Sequence, residues 1–422
     1  MKLLAITLFL VTYFLMLAIP KHKTFTVLVS ASIFILLGII PFSDALAAID
    51  WNAIMIIGGT MGVVFLFIES RMPALLGDLI IERTPNIKWA IVFLALFSGF
   101  ISAFVDNVAT VLMLAPVALN ICKRLNISPV PSIIAIAVSS NLQGAATLVG
   151  DTTSILLSAH TKFNFMDFFF FQGKFSIFWV VQAGALTSAL VLLYLFRDKN
   201  QPMKISERTE VRDYFPSFLL VGVIVLLIIA SFIPNRPELT NGFICVGLFI
   251  VGLVRELIVK RDLSVIIEPI KEIDYHTLLL LTGLFIIIGG ITEAGVIDDL
   301  SRFLARLGKD NLLTIFTVIV WFSVFVSAFI DNIPYVATML PVVGGIASIL
   351  NVEPYLLYFG LLVGATLGGN LTPIGASANI AALGILRKEG YTVSTKEFMA
   401  IGVPFTLVAV TTGYLLLWFL WS

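Results

Sequence analysis

Two aspartates stand where the chain is otherwise almost wholly apolar. Asp106-Asn107 interrupts the apolar block 89–122, and Asp331-Asn332 interrupts the block 311–350. A carboxylate in mid-membrane costs about 2.5–3.5 kcal/mol on insertion scales. Each must therefore hold a proton part of the time or sit beside a cation. Either option makes Asp106 and Asp331 coupling-ion ligands or proton carriers. A second reading is compatible with the first: each Asp caps the following helix through a side-chain oxygen. The helices that start after Asn107 and Asn332 aim their positive dipole ends at the same region, which attracts anions and polarises neutral oxyacids. Unwound carbonyls beside them can ligate a cation.

A second kind of interruption lies in 139–154 and 366–379, where Gly and Thr clusters, and Pro373, break an apolar run. Gly and Pro are poor helix formers. The freed backbone groups need a ligand, ions, water or side chains as partners. Glycines also let backbone approach a small solute closely. The other reading of such clusters is tight helix packing by small residues. The candidate solute- and ion-binding set comprises Asp106, Asn107, Thr110, Ser140, Asn141, Gly144, Thr147, Gly150, Asp151 and Thr152 in the first part of the chain. In the second part it comprises Asp331, Asn332, Gly368, Gly369, Asn370, Thr372, Gly375, Ser377 and Asn379. Asp151 is a further proton carrier or cation ligand. Glu69 and Glu293 end matched spans and are left outside this set. Sodium could be held at Asp106, Asn107, Asp331 and Asn332.

No enzyme chemistry is indicated. Cys122 and Cys245 are far apart in apolar context, and His22, His160 and His276 form no HExxH pattern. No nucleophile–base pair, resident metal or cofactor is expected.

These residues must be positioned within a bilayer. Of 422 residues, 59% are hydrophobic and 12% charged, and Lys+Arg balance Asp+Glu at 26 each. Soluble domains carry about 25% charged residues. The composition excludes a soluble enzyme, a nucleic-acid binder and a disordered chain. A span needs about 20 mainly apolar residues. Ten candidates lie near 3–19, 24–41, 53–69, 129–158, 168–196, 214–233, 239–258, 276–295, 354–385 and 397–421. The first reads as a span rather than a cleaved leader, because Pro20-Lys21-His22-Lys23 is a poor cleavage site. Blocks 89–122 and 311–350 read as re-entrant hairpins, and 129–158 and 354–385 as broken helices. Segments 72–82 and 296–308 are amphipathic and read as interfacial helices.

Placing Lys21 and Lys23 in the cytoplasm also brings there Arg71, Arg83, Lys88, Lys123, Arg124, the basic residues of 197–213 and 255–271, Arg387, Lys388 and Lys396. That is about 19 of the 26 basic residues, a positive-inside bias that puts both termini outside.

Residues 102–157 align without a gap to 327–382 at an offset of 225, with about 18 of 56 positions identical. Asp106-Asn107 matches Asp331-Asn332. Pro116 matches Pro341. Gly144, Thr147 and Gly150 match Gly369, Thr372 and Gly375. Five spans precede the second copy, so it is expected upside down, as in inverted-repeat transporters with a midplane site. The expected organisation is a first repeat at 1–196, a cytoplasmic linker at 197–213 and a second repeat at 214–422. The copies differ at Asp151/Ala376, Ala145/Asn370 and Ser154/Asn379.

Several stretches resemble the ion transporter superfamily: Ala103-Phe-Val-Asp106-Asn107-Val-Ala-Thr110 and Gly144-Ala-Ala-Thr-Leu-Val-Gly150-Asp151, with Ser327-Ala-Phe-Ile-Asp331-Asn332-Ile-Pro334 and Gly368-Gly-Asn370-Leu-Thr372-Pro-Ile-Gly375-Ala-Ser377-Ala-Asn379. That superfamily includes ArsB-type arsenite permeases, the melanosomal P protein, NhaD-type sodium/proton antiporters, and sodium-coupled dicarboxylate and citrate carriers. The resemblance implies an all-α polytopic membrane protein, an inverted-repeat secondary transporter in the plasma (inner) membrane. Its partners would be a small inorganic solute and the lipid bilayer, with no nucleic acid. A homodimer is compatible with the resemblance. In dicarboxylate carriers the tip reads Ser-Asn-Thr, whereas here carboxylates replace the hydroxyl. The best expectation is arsenite or antimonite efflux in exchange for protons. The alternatives are a sodium/proton antiporter and a sodium-coupled anion symporter.

Overall fold

The computed structural model describes residues 1–202, 208–308 and 311–422, so Lys204 of the linker lies outside the described residues. The chain is helical almost throughout. The first half contains α1 (Lys2–Ala18), α2 (Lys23–Leu36), α3 (Phe42–Ala48), α4 (Trp51–Glu69), α5 (Met72–Glu82), α6 (Ile87–Ser102), α7 (Asn107–Arg124), α8 (Val130–Gly144), α9 (Thr152–Thr161) and α10 (Ile177–Leu195). The second contains α11 (Phe215–Ser231), α12 (Thr240–Lys260), α13 (Ser264–Lys271), α14 (Tyr275–Glu293), α15 (Val296–Leu307), α16 (Leu312–Ser327), α17 (Asn332–Leu350), α18 (Tyr355–Gly368), α19 (Ser377–Lys388) and α20 (Thr395–Trp421).

Helix starts are written by the same capping residues in both halves. Asp50 and Asp274 cap α4 and α14, Asn86 and Asn311 cap α6 and α16, and Asp106 and Asp331 cap α7 and α17. Each side-chain oxygen accepts a backbone N–H that the first helical turn leaves unpaired. After α7 and α17, Asn126 and Asn351 take the left-handed conformation at φ 52° and 53°, which Asn tolerates better than most residues.

Among the described residues six helices, α4, α10, α12, α14, α17 and α20, are long and apolar enough to cross a membrane. The other expected spans are the shorter helices α1, α2 and α11 and the broken paths α8–α9 and α18–α19. α1 and α2 form a pair bent by 117°. Two stretches differ from expectation. The span expected at 168–196 begins only at Ile177, because Gln172-Gly173, both at positive φ, turn a two-stranded hairpin pairing Phe170–Phe171 with Lys174–Phe175. The second is 42–52, which lies between the expected spans 24–41 and 53–69 and contains the short helix α3. The amphipathic segments are helices α5 and α15, packed on α6 and α7 and on α17 respectively.

Helices exchange partners between the halves. α12 packs along α4, and α2 along α14; α10 packs on α20; α9 packs on α17, and α19 on α7. Small residues permit the closest approach: a Cβ on Gly59 would lie 2.5 Å from the Cys245 backbone.

Polar contacts tie the connecting segments to the helices. Arg212 N donates to Ser70 O (3.0 Å), Ile87 N to Gln201 O (3.2 Å) and Lys88 N to Lys199 O (2.9 Å). Arg208 pairs with Glu82, Arg255 with Asp213, and Lys123 with Glu389. Lys2 pairs with Asp299 at 2.5 Å, and Trp421 Nε1 donates to Phe175 O at 3.2 Å.

Candidate functional site

The two Asp-Asn turns, between α6 and α7 and between α16 and α17 and called tips below, share a backbone design. Asp106 Oδ2 accepts from Val108 N (3.0 Å) and Ala109 N (3.1 Å), and its Oδ1 has no hydrogen-bond partner among the described residues. Asp331 Oδ1 accepts from Ile333 N at 3.2 Å. Both aspartates are thus helix caps, the second of the two readings open from sequence. Capping leaves Asp106 one oxygen for a ligand. Asp331 has spent its other oxygen: Oδ2 accepts from Lys23 Nζ at 2.5 Å.

Each tip rests on the break of its own half. Thr147 Oγ1 donates to Ala103 O, and Thr372 Oγ1 donates to Ala328 O at 2.5 Å. Gly150 lies so close to the tip that a Cβ would stand 2.7 Å from Ser102 O and 2.6 Å from Gly144 O. At Gly375 the corresponding distances are 2.9 Å to Ser327 O and 2.6 Å to Gly369 O. No side chain fits there without moving backbone.

The breaks also meet each other. Asn141 Nδ2 donates to Thr366 O (2.8 Å) and Asn370 Oδ1 (3.1 Å), while Asn370 Nδ2 donates to Val138 O (2.8 Å). Asn141 Oδ1 accepts from Asn107 Nδ2 at 3.0 Å, and Ser140 Oγ donates to Asn107 O at 2.9 Å. Asn379 Nδ2 donates to Gly369 O (3.0 Å) and Thr372 O (3.1 Å), and its buried Oδ1 has no partner among the described residues. Gly368 packs against the Val324 backbone. Thr110 and Ser102 are fully buried, and their hydroxyls have no partner among the described residues.

A cavity of about 300 Å³ opens beside these elements. From the candidate set it is lined by Asp106, Asn107, Asp151, Thr152, Asn332 and Ser377. Asp151, only 5% exposed, caps α9: its Oδ1 accepts from Thr152 N (2.8 Å) and its Oδ2 from Thr153 Oγ1 (2.7 Å). Asn332 Nδ2, from the other half, stands 3.5 Å from Asp151 Oδ2. Glu272, Asp274 and Thr277 also line it, and Met61, Val64, Phe65 and Ile68 of α4 add apolar lining. Thr110, Ser140, Asn141, Gly144, Thr147, Gly150, Asp331, Gly368, Gly369, Asn370, Thr372, Gly375 and Asn379 are not among the lining residues; most of them brace the tips and breaks behind it. A larger cavity, about 590 Å³, lies elsewhere, around Asp50, Lys162 and Arg236.

Among the described residues the lining includes carboxylates and amides but no lysine or arginine. Such a chamber suits a cation, a proton or a neutral hydrogen-bonding solute. Among the described residues no group of three or more His, Cys, Asp or Glu could hold a metal ion.

Sequence reasoning missed four contributors. Lys23 was expected in an aqueous loop, yet its ammonium contacts a hairpin tip. Glu272 and Asp274 were not singled out, and Thr366 contributes a carbonyl to Asn141. Only Asp274 carried a legible signal, as an acidic residue just before an apolar run.

Residues 13–364 and 263–422 match the family model described as citrate transporter, CitMHS. The chain is 34% identical to the 46 kDa membrane protein of Mycobacterium leprae over 431 residues, covering 99% of this chain and 98% of that one. It is 27% identical to the P protein of Homo sapiens, over 86% of this chain and 53% of that protein. The crystal structure of the YdaH transporter of Alcanivorax borkumensis shares the fold, with a TM-score of 0.62 at 13% identity over 89% of this chain and 86% of that chain. MtrF of Neisseria gonorrhoeae aligns with a TM-score of 0.58 at 12% identity, over 91% and 83%. This chain belongs to the CitMHS citrate transporter family; it is an integral membrane transporter and not an enzyme.

Proposed function

We propose that this member of the family is a secondary active transporter with a coupling cation, proton or sodium, held at Asp106 and Asp151. Two repeats, 1–196 and 214–422, run in opposite directions across the plasma (inner) membrane, with both termini outside and the basic end in the cytoplasm. Exchanging the conformations of two such halves opens the chamber to one side and then the other. The observation that carries this reading is the lining of one cavity from both halves. Asp106 and Asp151 come from the first, Asn332 and Ser377 from the second.

The solute we favour is a small neutral oxyacid, arsenite or antimonite, exported in exchange for protons. It needs hydrogen-bond partners and no net charge, and Asn107, Thr152, Asn332 and Ser377 supply them. Citrate is the second reading, favoured by the family description. A free trianion meets Asp106, Asp151, Glu272 and Asp274 with no lining cation, so it would have to enter with counter-cations. Sodium/proton antiport is the third. Proteoliposomes with an entrapped pH dye separate them. Proton flux driven by an arsenite gradient supports the first. Flux driven by citrate supports the second, and flux driven by NaCl without arsenite defeats the first.

A further inference from the structure

The two hairpin tips offer matched carboxylates, and only one is open. Asp106 has no ion-pair partner among the described residues and lines the acidic cavity. Asp331, its counterpart 225 residues on, is met by the ammonium of Lys23 at 2.5 Å. We propose that Lys23 is a tethered cation occupying the second cation position, so that the transporter has one exchangeable coupling-cation site rather than two. The inference rests on the reading of Asp106 as a coupling-ion ligand.

Lys23 is held there by a built scaffold. Thr12 and Ser30 hydroxyls, 2.6 Å apart, staple α1 to α2. Tyr13 OH donates to Pro334 O at 2.7 Å and also contacts the Thr338 hydroxyl, tying α1 to α17. Next to Lys23, Thr24 Oγ1 donates to His276 O at 3.1 Å, tying the start of α2 to α14. The ammonium is therefore carried to the tip by a braced hairpin, unlike a surface lysine on a free stem.

Among the described residues the other half has no equivalent cation at Asp106. α12 packs on α4 as α2 packs on α14, with Gly242 N donating to Asn52 Oδ1 at 2.9 Å. Where Lys23 precedes the Thr24 contact, the neutral Asn241 precedes the Gly242 contact, and Asn241 lines the larger cavity, whereas Asp106 lines the smaller one. The groups that face Asp106 across its own cavity are acidic: Asp151, Glu272 and Asp274. One tip carries a covalently attached positive charge, and the other is left to recruit one from solution. The lysine acts through Asp331 and is a positioning residue.

Purified full-length protein in detergent provides the test, with thermal unfolding as readout. One arm titrates NaCl against choline chloride; the other varies pH at fixed ionic strength. Lys23→Gln vacates the second position, so the variant should gain a stabilisation by sodium, or by protons, beyond that of the wild type. Lys23→Arg should not gain it. Asp331→Asn added to Lys23→Gln should remove the gain, and this neutral pair also shows that the helices fold without the ion pair. Equal response of Lys23→Gln and wild type in both arms overturns the proposal, whatever the absolute stability. Asp106→Asn keeps the two readings apart. If it leaves the wild-type cation response intact, the coupling-site reading itself fails. If it abolishes that response while Lys23→Gln gains nothing, only the tethered-cation proposal fails.

Discussion

Asn141 and Asn370 meet where the two broken helices cross, Asn141 Nδ2 donating to Asn370 Oδ1 at 3.1 Å. Both side chains are fully buried, and each also donates to a carbonyl of the opposite half, Asn141 to Thr366 and Asn370 to Val138. One of these carbonyls, Thr366 O, is in the last turn of α18, where the break leaves it exposed to such a donor, and the other, Val138 O, is inside α8. The joint is polar and specific, and it sits behind the chamber instead of lining it.

Truncating that joint should cost stability. Asn141→Ala removes the donor to Thr366 O and Asn370 Oδ1 and strands both. Side-chain hydrogen bonds within membranes average about 0.6 kcal/mol and reach about 1.7, and a stranded buried acceptor costs about 1–3 kcal/mol. A loss of about 1–2 kcal/mol in detergent unfolding is expected, and a similar loss for Asn370→Ala. Their double mutant should lose less than the sum, because the two share one bond. Strict additivity would contradict the coupling.

The tips should tolerate no side chain at their supporting glycines. Gly150→Ala and Gly375→Ala place a Cβ within 3 Å of backbone carbonyls on both tip and break. Overpacking of this kind costs about 1–3 kcal/mol, and here it displaces the capping aspartates. Transport should fall at least about tenfold, the scale of a single misplaced interaction of about 1.4 kcal/mol. Gly384→Ala, with open space around its Cβ, should transport as wild type. Equal activity of all three variants would contradict the close packing.

The tip–break hydroxyls predict a milder, paired effect. Thr147→Val and Thr372→Val each remove a bond to a tip carbonyl, Ala103 O or Ala328 O, worth about 0.5–1.5 kcal/mol. Unfolding measurements should find the two losses similar, because the bonds are made by equivalent residues. A loss in one variant only would contradict that equivalence.

Acid should loosen the N-terminus. Asp299 accepts from Lys2 at 2.5 Å and from Arg302 at 2.6 Å, and these hydrogen bonds, Lys2 first, hold its carboxyl below the ordinary carboxylate range. A depressed folded-state pKa adds stability above the unfolded value of about 4, and that stability is lost as pH falls through the folded value. Hydrogen exchange at residues 2–8 should therefore quicken, beyond its intrinsic pH dependence, as pH drops below about 4. Asp299→Asn should show that faster exchange already at neutral pH. A wild-type N-terminus indifferent to acid would contradict the docking.

Much of the site was legible in the chain because the membrane penalises polar residues so heavily. Asp106, Asp151 and Asp331 stood out against apolar blocks, and each proves to be a helix cap. The breaks were legible in Gly150, Gly375 and Pro373, because Gly and Pro are poor helix formers in the middle of an apolar run. Which candidates touch the cavity was not legible. Asn141 and Asn370 look like ligands in sequence, but each spends its amide on the opposite half's backbone. Lys23 was read as a loop residue because a short Pro20–Lys23 turn looks interfacial. Its approach to Asp331 depends on the packing of α1 and α2 against α14 and α17, which no local pattern encodes. The shortened start of α10 was hidden because Phe168–Phe171 is as apolar in a hairpin as in a span.

Proton flux in proteoliposomes tests the central claim most directly, comparing wild type with Asp106→Asn and Asp106→Glu under arsenite, citrate and NaCl gradients in separate arms. The account predicts flux with the wild type in at least one arm, partial flux with Asp106→Glu, and less than about a tenth of the wild-type rate with Asp106→Asn. Undiminished flux through Asp106→Asn in the arm where the wild type is active would contradict it.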